Sequence, residues 1–221
     1  MDIKSRLDEI RSGLPESVRL VAISKFHPPS SIMEAYNAGQ RIFGESRVQE
    51  MDEKHAVLPE DIQWHFIGHL QSNKIKYIVP YVALIHGVDS YKLLTEINKQ
   101  AAKAGRVIDV LLQIHIAMEE TKFGFGMDEC TGMLTTGDWK TLPYIRICGL
   151  MGMASNTDDS EQVSREFSSL SRYFGETKEK FFPEDTFFNE LSMGMSDDYP
   201  LAVEAGSTLV RIGSKIFGQR Y

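Results

Sequence analysis

The feature that most constrains the fold is a regular alternation of short apolar runs with longer helical patterns along the chain. Eight runs rich in β-branched and aromatic residues predict strands, at residues 19–24, 41–44, 64–68, 83–88, 107–116, 145–153, 186–193 and 208–213. Between them, apolar residues recur three or four positions apart, which predicts helices. Because each helix must return the chain to the same end of the sheet, the strands are expected to pair in parallel.

Eight strand–helix units predict an α/β protein whose sheet closes into a single (β/α)8 TIM barrel. Ile3, Leu7, Ile10 and Leu14 predict an additional helix before the first strand. A barrel of this kind typically has about 250 residues, so a chain of 221 residues requires short loops. No linker or charge block divides the chain, and residues 1–221 are predicted to form one domain. An open doubly wound sheet remains the alternative, although no GxGxxG motif follows the first strand.

The composition narrows the cellular setting and the expected partners. The formal net charge is -7, whereas nucleic-acid-binding domains usually carry a basic excess, so no nucleic-acid partner is expected. The two cysteines, Cys130 and Cys148, form no CxxC motif and indicate a reducing compartment. The charged amino terminus does not have the pattern of a signal peptide, and no apolar stretch approaches the roughly 20 residues that cross a bilayer. We therefore expect a cytoplasmic protein without a membrane partner.

A lysine directly follows the first predicted strand. In barrels of this type, residues at the carboxyl ends of the strands face the active site, and Lys25 comes directly after the run VAIS. A lysine in this place can simply be a solvated strand end, since lysine is mostly exposed in proteins. Partial desolvation at the barrel mouth would instead favour the neutral amine, which is the form that attacks an aldehyde. Both interpretations stay open at this point.

Two turns rich in glycine and serine follow the last two predicted strands. Barrels often bind phosphate between the loops after strands seven and eight and the start of a short extra helix. Gly213 would allow the backbone to approach an anion closely, and Ser214 would cap a short helix over residues 215–217. The run LSMGMS at 191–196 supplies the second turn. Each turn alone is equally well a simple loop, but two at these strand ends indicate a phosphate site.

Arg211 lies two residues before Gly213, so strand alternation places both on the same face. The arginine is either half of a surface ion pair or a permanent cation that faces a ligand in the barrel mouth. An amine, a phosphate site and an inward arginine together suit pyridoxal 5'-phosphate (PLP). This cofactor requires a Schiff-base partner, a phosphate site and a group at its ring nitrogen.

Seven longer motifs extend this pattern from about residue 20 to residue 217. They are VAISKFHP (21–28), IFGESRVQE (42–50), WHFIGHLQSNK (64–74), ETKFGF (120–125), GLMGMAS (149–155), LSMGMSDDYPLAVEAG (191–206) and STLVRIGSKIFG (207–218). Through these motifs the chain resembles the YggS/PROSC-type pyridoxal phosphate homeostasis proteins, which are single-domain relatives of the alanine racemase barrel.

The resemblance implies specific roles for residues at the barrel mouth. Lys25 would form a covalent internal aldimine with PLP, and the phosphate would be held by Ser192, Gly213 and Ser214. Arg211 would donate to the pyridine nitrogen and keep it unprotonated, which weakens the ring as an electron sink. The family motifs also imply four further pocket residues: His65, Ser46, Lys122 and Met193. Ser46 departs from the family pattern, which has asparagine at that position, and this puts any contact carried over from it in doubt.

The function that the resemblance implies is PLP homeostasis, in which the protein buffers or delivers the cofactor and influences amino-acid and keto-acid balance without strong catalysis. The chain ends at Tyr221, whereas the racemases carry an additional β domain that supplies a tyrosine as second base. We therefore expect a monomer without racemase activity, whose partners are PLP, related B6 vitamers and PLP-dependent apoenzymes.

Two other functions remain open, and a metal site is not expected. The first alternative is a PLP-dependent amino-acid racemase or lyase that uses Lys25 as its one base. The second is a phosphate-binding barrel isomerase that does not use PLP. His65 and His69 lie four residues apart in a strand-to-loop segment and belong to no HExxH motif, so no metal is predicted.

Overall fold

The computed structural model of the protein describes residues 1–119 and 121–218, and Tyr221 lies outside them. Its strands form one closed parallel barrel in chain order. The strands are β1 (Arg19–Ile23), β2 (Ile42–Glu45), β3 (Gln63–Phe66), β4 (Leu84–Val88), β5 (Ile108–His115), β6 (Ile145–Met153), β7 (Glu190–Ser192) and β8 (Leu209–Ile212). The prediction of a (β/α)8 barrel is therefore confirmed, and the alternative of an open sheet is wrong.

The helices pack around the outside of this barrel. They are α1 (Ile3–Ser12), α2 (Pro29–Asn37), α3 (Val48–His55), α4 (Ile75–Ile78), α5 (Tyr91–Ala104), α6 (Met127–Thr136), α7 (Ser160–Phe181), α8 (Tyr199–Glu204) and α9 (Ser214–Phe217). The predicted amino-terminal helix is α1, and three of its apolar residues, Ile3, Leu7 and Ile10, are buried. Within the described residues, even the 22-residue helix α7 is not apolar enough to span a bilayer.

The barrel strands supply two apolar cores because successive side chains point to opposite faces of the sheet. On β1, Leu20 and Ala22 belong to the large core between barrel and helices, whereas Val21 and Ile23 belong to a smaller cluster inside the barrel. The smaller cluster also contains Leu84, Leu111, Cys148, Met151 and Leu209. The inside of the barrel is thus packed with side chains, and ligand space remains only at its ends.

Ion pairs between strands mark the amino-terminal end of the barrel. The guanidinium of Arg146 on β6 contacts the carboxylate of Asp109 on β5 at 2.7 Å, and Arg19 on β1 pairs with Glu190 on β7. The Phe187 ring covers the Arg146 guanidinium at 4.0 Å. These salt bridges are partly exposed and are expected to fix strand register more than to add stability.

Strand β7 is shorter than the sequence predicts. The apolar run at 186–193 forms only a three-residue strand, Glu190–Ser192. The carboxylate of Asp185 accepts hydrogen bonds from the backbone N–H groups of Phe187 and Phe188, at 2.6 and 3.2 Å. This turn holds Phe187 and Phe188 outside the ladder, because their backbone donors already have a partner in Asp185.

Candidate functional site

A cavity of about 420 Å³ opens at the carboxyl ends of the strands. This volume lies within the range of about 300–1,000 Å³ that is usual for small-molecule sites. Five of the residues predicted for the site line the cavity together: Lys25, Ser46, Arg211, Gly213 and Ser214. We call this cavity the mouth chamber.

Lys25 enters the mouth chamber from a tight turn at the end of β1. The next residue, Phe26, has a φ of 68°, a left-handed backbone conformation that non-glycine residues rarely adopt. Its backbone N–H donates to the Glu50 carboxylate at 2.5 Å, and the Arg47 guanidinium lies 4.7 Å from its ring centroid. These contacts hold the turn that follows the lysine.

A buried ionic cluster supports both sides of this turn. The ammonium group of Lys54 donates to the carboxylates of Glu45 and Glu50, each at 2.7 Å, and to the carbonyl of Ser24 at 2.8 Å. The Ser24 hydroxyl donates to Glu45 at 2.6 Å. Burial raises the pKa of Glu45, and the nearby ammonium of Lys54 opposes that rise. Since Glu50 also binds Phe26, the residues before and after Lys25 are tied to one cluster.

Arg211 is a buried cation without a carboxylate partner. Its guanidinium donates to the backbone oxygen and hydroxyl of Ser192, at 2.9 and 2.6 Å, and to the Gly152 carbonyl at 3.0 Å. All three acceptors are neutral, and none of the ion pairs among the described residues involves Arg211. Burial lowers the pKa of Arg211 to about 10, so the group stays protonated at neutral pH. The prediction of a surface ion pair is wrong, and a fixed positive charge lies at the chamber.

The turn after β8 presents Gly213 and Ser214 to the same chamber. Helix α9 begins at Ser214, so the predicted role of Ser214 as helix cap is wrong, and Gly213 precedes the helix instead. A Cβ atom at Gly213 would lie 3.0 Å from the carbonyl oxygen of Ile23, which explains why glycine suits this position. The Gly213 N–H donates to the hydroxyl of Ser196 at 3.3 Å, which places a second serine beside this turn.

Ser192 does not line the mouth chamber. It is fully buried at the end of β7, where it accepts a hydrogen bond from Arg211. The chain then turns at Gly194, whose φ is 88°, and brings Ser196 to the chamber. The motif LSMGMS contains both serines, and the glycine between them is the one sequence signal for a turn that exposes the second.

Three other predicted residues also lie away from the mouth chamber. His65 is buried inside the barrel and lines a cavity of about 330 Å³ at the amino-terminal end. Met193 is fully buried in the outer core, because it follows Ser192 and therefore points to the opposite face. Lys122 lines a neighbouring cavity of about 440 Å³, where its ammonium contacts Ala154 at 2.7 Å and Glu119 at 3.0 Å.

Several residues that the sequence did not indicate complete the wall of the mouth chamber. They are Gln113, Phe123, His69, Met195 and Ser196. The His69 and Phe123 rings stack with their centroids 4.1 Å apart, and Asp89 holds the His69 ring at 3.0 Å. No sequence signal links His69 with Phe123, because their loops are 54 positions apart in the chain (123 minus 69).

A chain of buried hydrogen bonds leads from Arg211 down through the barrel. Ser192 Oγ lies 3.0 Å from His86 Nδ1, and His86 Nε2 lies 2.9 Å from His65 Nδ1. Burial lowers the pKa of His65 to about 3, and it holds the pKa of His86 well below its usual value. The positive charges of Arg19 and Arg211 act in the same direction on His86. Both imidazoles are therefore neutral at physiological pH.

The two buried imidazoles are expected to make the fold sensitive to acid. Their pKa values are lower in the folded than in the unfolded chain, so their stabilising effect is complete above about pH 6.5 and is lost as the pH falls. Each contributes a slope of about 1.4 kcal/mol per pH unit below that value. The variant His86→Asn should show a slope smaller by this amount in urea unfolding between pH 6 and 4. Parallel stability curves for the two proteins would contradict the assignment of a neutral His86.

Comparisons with known proteins identify close relatives of the chain. The family model described as "Alanine racemase, N-terminal domain" matches residues 2–221. A protein from Aquifex aeolicus described as "Pyridoxal phosphate homeostasis protein" is 38% identical over 212 residues, which cover 95% of this chain and 91% of the relative. The match thus extends over nearly all of both proteins.

Two solved structures of PipY from Synechococcus elongatus are also similar to this chain, at 38% sequence identity. The PipY structure without PLP has a TM-score of 0.93, and the structure with PLP bound has a TM-score of 0.89. Each match covers 98% of this chain and 100% of PipY.

Proposed function

The chain belongs to the family of the alanine racemase N-terminal domain, and from this premise we propose that it binds PLP and serves in PLP homeostasis. The observation that carries the proposal is the convergence of Lys25, Arg211 and the Gly213–Ser214 turn on one chamber of about 420 Å³. A relative that is 38% identical over 95% of this chain is described as a pyridoxal phosphate homeostasis protein. PipY, which shares the fold at 38% identity, has been solved with PLP bound.

The residues of the mouth chamber fit the cofactor chemically. Arg211 is a buried cation with only neutral acceptors, so an electron-rich ring nitrogen would satisfy a remaining donor. Ser196, Ser214 and the backbone at Gly213 also line this chamber and provide hydroxyl and amide groups for a phosphate. We propose these three residues as the phosphate site, with Ser196 in the role predicted for Ser192.

We also propose that Lys25 is the covalent attachment point. When bound, PLP supplies an aldehyde that a lysine amine converts into a Schiff base. The turn around Lys25 is anchored through Ser24 and Phe26 to the Lys54 cluster. This anchoring limits the positions that the Lys25 amine can reach. Such anchoring supports a lysine that must meet one carbon atom repeatedly.

The proposed role is buffering and delivery of PLP without strong catalysis. Arg211 stays protonated and offers a donor, so it favours an unprotonated ring nitrogen and weak stabilisation of carbanions. The proposed partners are PLP, related B6 vitamers and PLP-dependent apoenzymes. We also propose that the protein is a cytoplasmic monomer that forms one domain over residues 1–221.

Incubation with L-alanine in deuterated water tests whether the protein is catalytic. Exchange of the α-proton that requires Lys25 would favour the racemase or lyase instead.

Spectroscopy of the purified protein tests the proposal directly. Adding PLP to cofactor-free protein should produce a visible absorbance band, and borohydride reduction should fix the cofactor on the peptide that contains Lys25. A protein that stays colourless at saturating PLP would overturn the proposed function. A label found on Lys122 or Lys74 would refute the assignment of Lys25 alone.

Ser196→Ala tests the proposed phosphate site. The variant is expected to bind PLP about tenfold more weakly, because it loses one hydrogen bond to a charged group. Its affinity for pyridoxal, which lacks the phosphate, should stay unchanged. Equal losses for both ligands in a fluorescence titration would contradict the role of Ser196. Ser192→Ala is the matched variant, and it should weaken both ligands equally because Ser192 contacts Arg211.

A further inference from the structure

Four polar side chains form a continuous hydrogen-bonded column through the inside of the barrel. The column runs from Arg211 on β8 through Ser192 on β7 and His86 on β4 to His65 on β3. These side chains are at most 4% exposed, and the barrel interior around them is filled by residues such as Leu84, Leu111 and Met151. A buried polar group is stabilised only when its hydrogen bonds are made, so the column is a specific arrangement rather than a solvated channel.

The donors and acceptors of the column fit together in one direction. Arg211 has only donors, so Ser192 Oγ must accept from it and can give its own proton to His86 Nδ1. His86 then carries its proton on Nε2 and donates to His65 Nδ1 at 2.9 Å. His65 in turn carries its proton on Nε2, at the cavity near the amino-terminal end of the barrel. The reverse order would leave the Ser192 hydroxyl proton without a partner among the described side chains.

We propose that His86 and His65 are positioning residues that hold the Arg211 guanidinium, through Ser192, in one orientation toward the mouth chamber. The inference rests on the proposed function, because it assigns the oriented guanidinium to the ring of the bound cofactor. Three hydrogen bonds to Ser192 and Gly152 already hold both terminal nitrogens of Arg211, so a defined remaining edge faces the ligand. An arginine side chain loses much rotational freedom when it is held in this way. Because the column restricts Arg211 before the ligand arrives, less conformational entropy is lost on binding.

The geometry explains why two histidines occur in the barrel interior. A single apolar residue at position 86 would leave the Ser192 hydroxyl without an acceptor, and the hydroxyl would then compete for other partners of Arg211. His65 provides the matching acceptor for His86, because its Nδ1 accepts the hydrogen bond that His86 Nε2 donates. Each hydrogen bond of the column therefore has a fixed donor and a fixed acceptor, from the amino-terminal end of the barrel to the ligand site.

Nitrogen NMR of the imidazoles tests the column in cofactor-free protein. At pH 7.5, the ¹⁵N shifts of His86 and His65 should each show a protonated Nε2 and an unprotonated Nδ1 acceptor. A His86 ring with its proton on Nδ1 would overturn the proposal, whether or not the protein binds PLP. This measurement thus separates failure of the column from failure of the proposed function.

Substitution of His86 tests its effect on the ligand site. His86→Leu is expected to bind PLP about tenfold more weakly, as when an outer partner of a ligand-binding side chain is removed. The absorbance maximum of the bound cofactor should also shift, since the guanidinium no longer holds one orientation at the ring. His86→Asn should restore most of both properties, because its amide oxygen can accept the Ser192 proton.

Leu84→Val is the matched control for this experiment. Leu84 lies two residues before His86 on the same face of β4 and packs beside the column, so Leu84→Val removes apolar volume there but changes none of the column's hydrogen-bonding groups. The control should keep the wild-type spectrum and affinity. If His86→Leu also kept them, or if Leu84→Val changed them equally, the positioning role would be refuted. If wild-type protein gave no PLP-dependent absorbance, the proposed function would fail. The assignment of the remaining Arg211 edge to the pyridine ring of PLP would fail with it.

Discussion

The variant Lys25→Ala is expected to lose the visible absorbance of the PLP-bound protein completely and to bind PLP at least about 100-fold more weakly. Without the amine, the cofactor would be held by the proposed phosphate site and by the proposed contact with Arg211, and no longer by a covalent bond. Absorbance titration and equilibrium dialysis with PLP measure the two effects separately. Fold stability should stay close to that of the wild type, since substitutions of partly exposed side chains rarely change it by more than about 0.5 kcal/mol.

Lys76→Ala provides the control for Lys25→Ala. Lys76 is an exposed lysine on α4, outside the mouth chamber, so its removal changes the net charge equally without changing the site. The control should keep the wild-type spectrum and affinity. A Lys25→Ala protein that absorbs like the wild type would show that another amine carries the cofactor.

Lys54→Met is expected to lower the free energy of unfolding by about 3–5 kcal/mol at pH 8, because it leaves a buried carboxylate without its counter-ion. Glu45 is fully buried, and among the residues that the structure describes its Oε2 atom has no hydrogen-bond partner even in the intact cluster. The same variant should weaken PLP binding, since the turn on either side of Lys25 loses its common anchor. Urea unfolding and PLP titration measure the two losses.

The loss of stability in Lys54→Met should depend on pH in a defined direction. Burial raises the pKa of Glu45 above its usual 4.5, and loss of the Lys54 ammonium should raise it further. A protonated Glu45 carries no charge, so the difference between variant and wild type should be small below about pH 4.5 and should grow as the pH rises through the folded pKa. The double variant Lys54→Met/Glu45→Gln should recover much of the stability at pH 8. Equal destabilisation at pH 5 and pH 8 would contradict this account.

The overall fold was predictable because its signals are local. Each strand–helix unit shows its own periodicity, and the parallel order follows from the crossovers. The start of strand β7 was not predictable, because Phe187 and Phe188 resemble part of a strand but are held in a turn by Asp185. The periodicity of a short run does not reveal where its backbone donors find partners.

The candidate site was predictable in position but not in depth. The strand-end rule indicated Lys25, Arg211 and the Gly213–Ser214 turn, and all of them line the mouth chamber. The strand-end rule does not show how deeply a side chain is buried, and Ser192 was misplaced for this reason. His65 was predicted from a family motif, which does not show at which end of the barrel a residue lies. The Lys54 cluster was not predictable, because it joins residues from separate elements and no local motif encodes such pairing.

The pairing of β1 with β8 has a consequence for how the site comes into being. Lys25 follows the first strand and Arg211 lies on the last, so the seam at which the barrel closes is also the place where both groups meet. A nascent chain carries its lysine early but gains the opposing arginine only after some 186 further residues, the separation of positions 25 and 211. A ligand that bridges this seam binds only the closed form and, at 100 times its Kd, would stabilise it by about 2.7 kcal/mol. The fraction of chains with ligand bound would thus measure how many barrels have closed, and the bound ligand would stabilise the closed barrel.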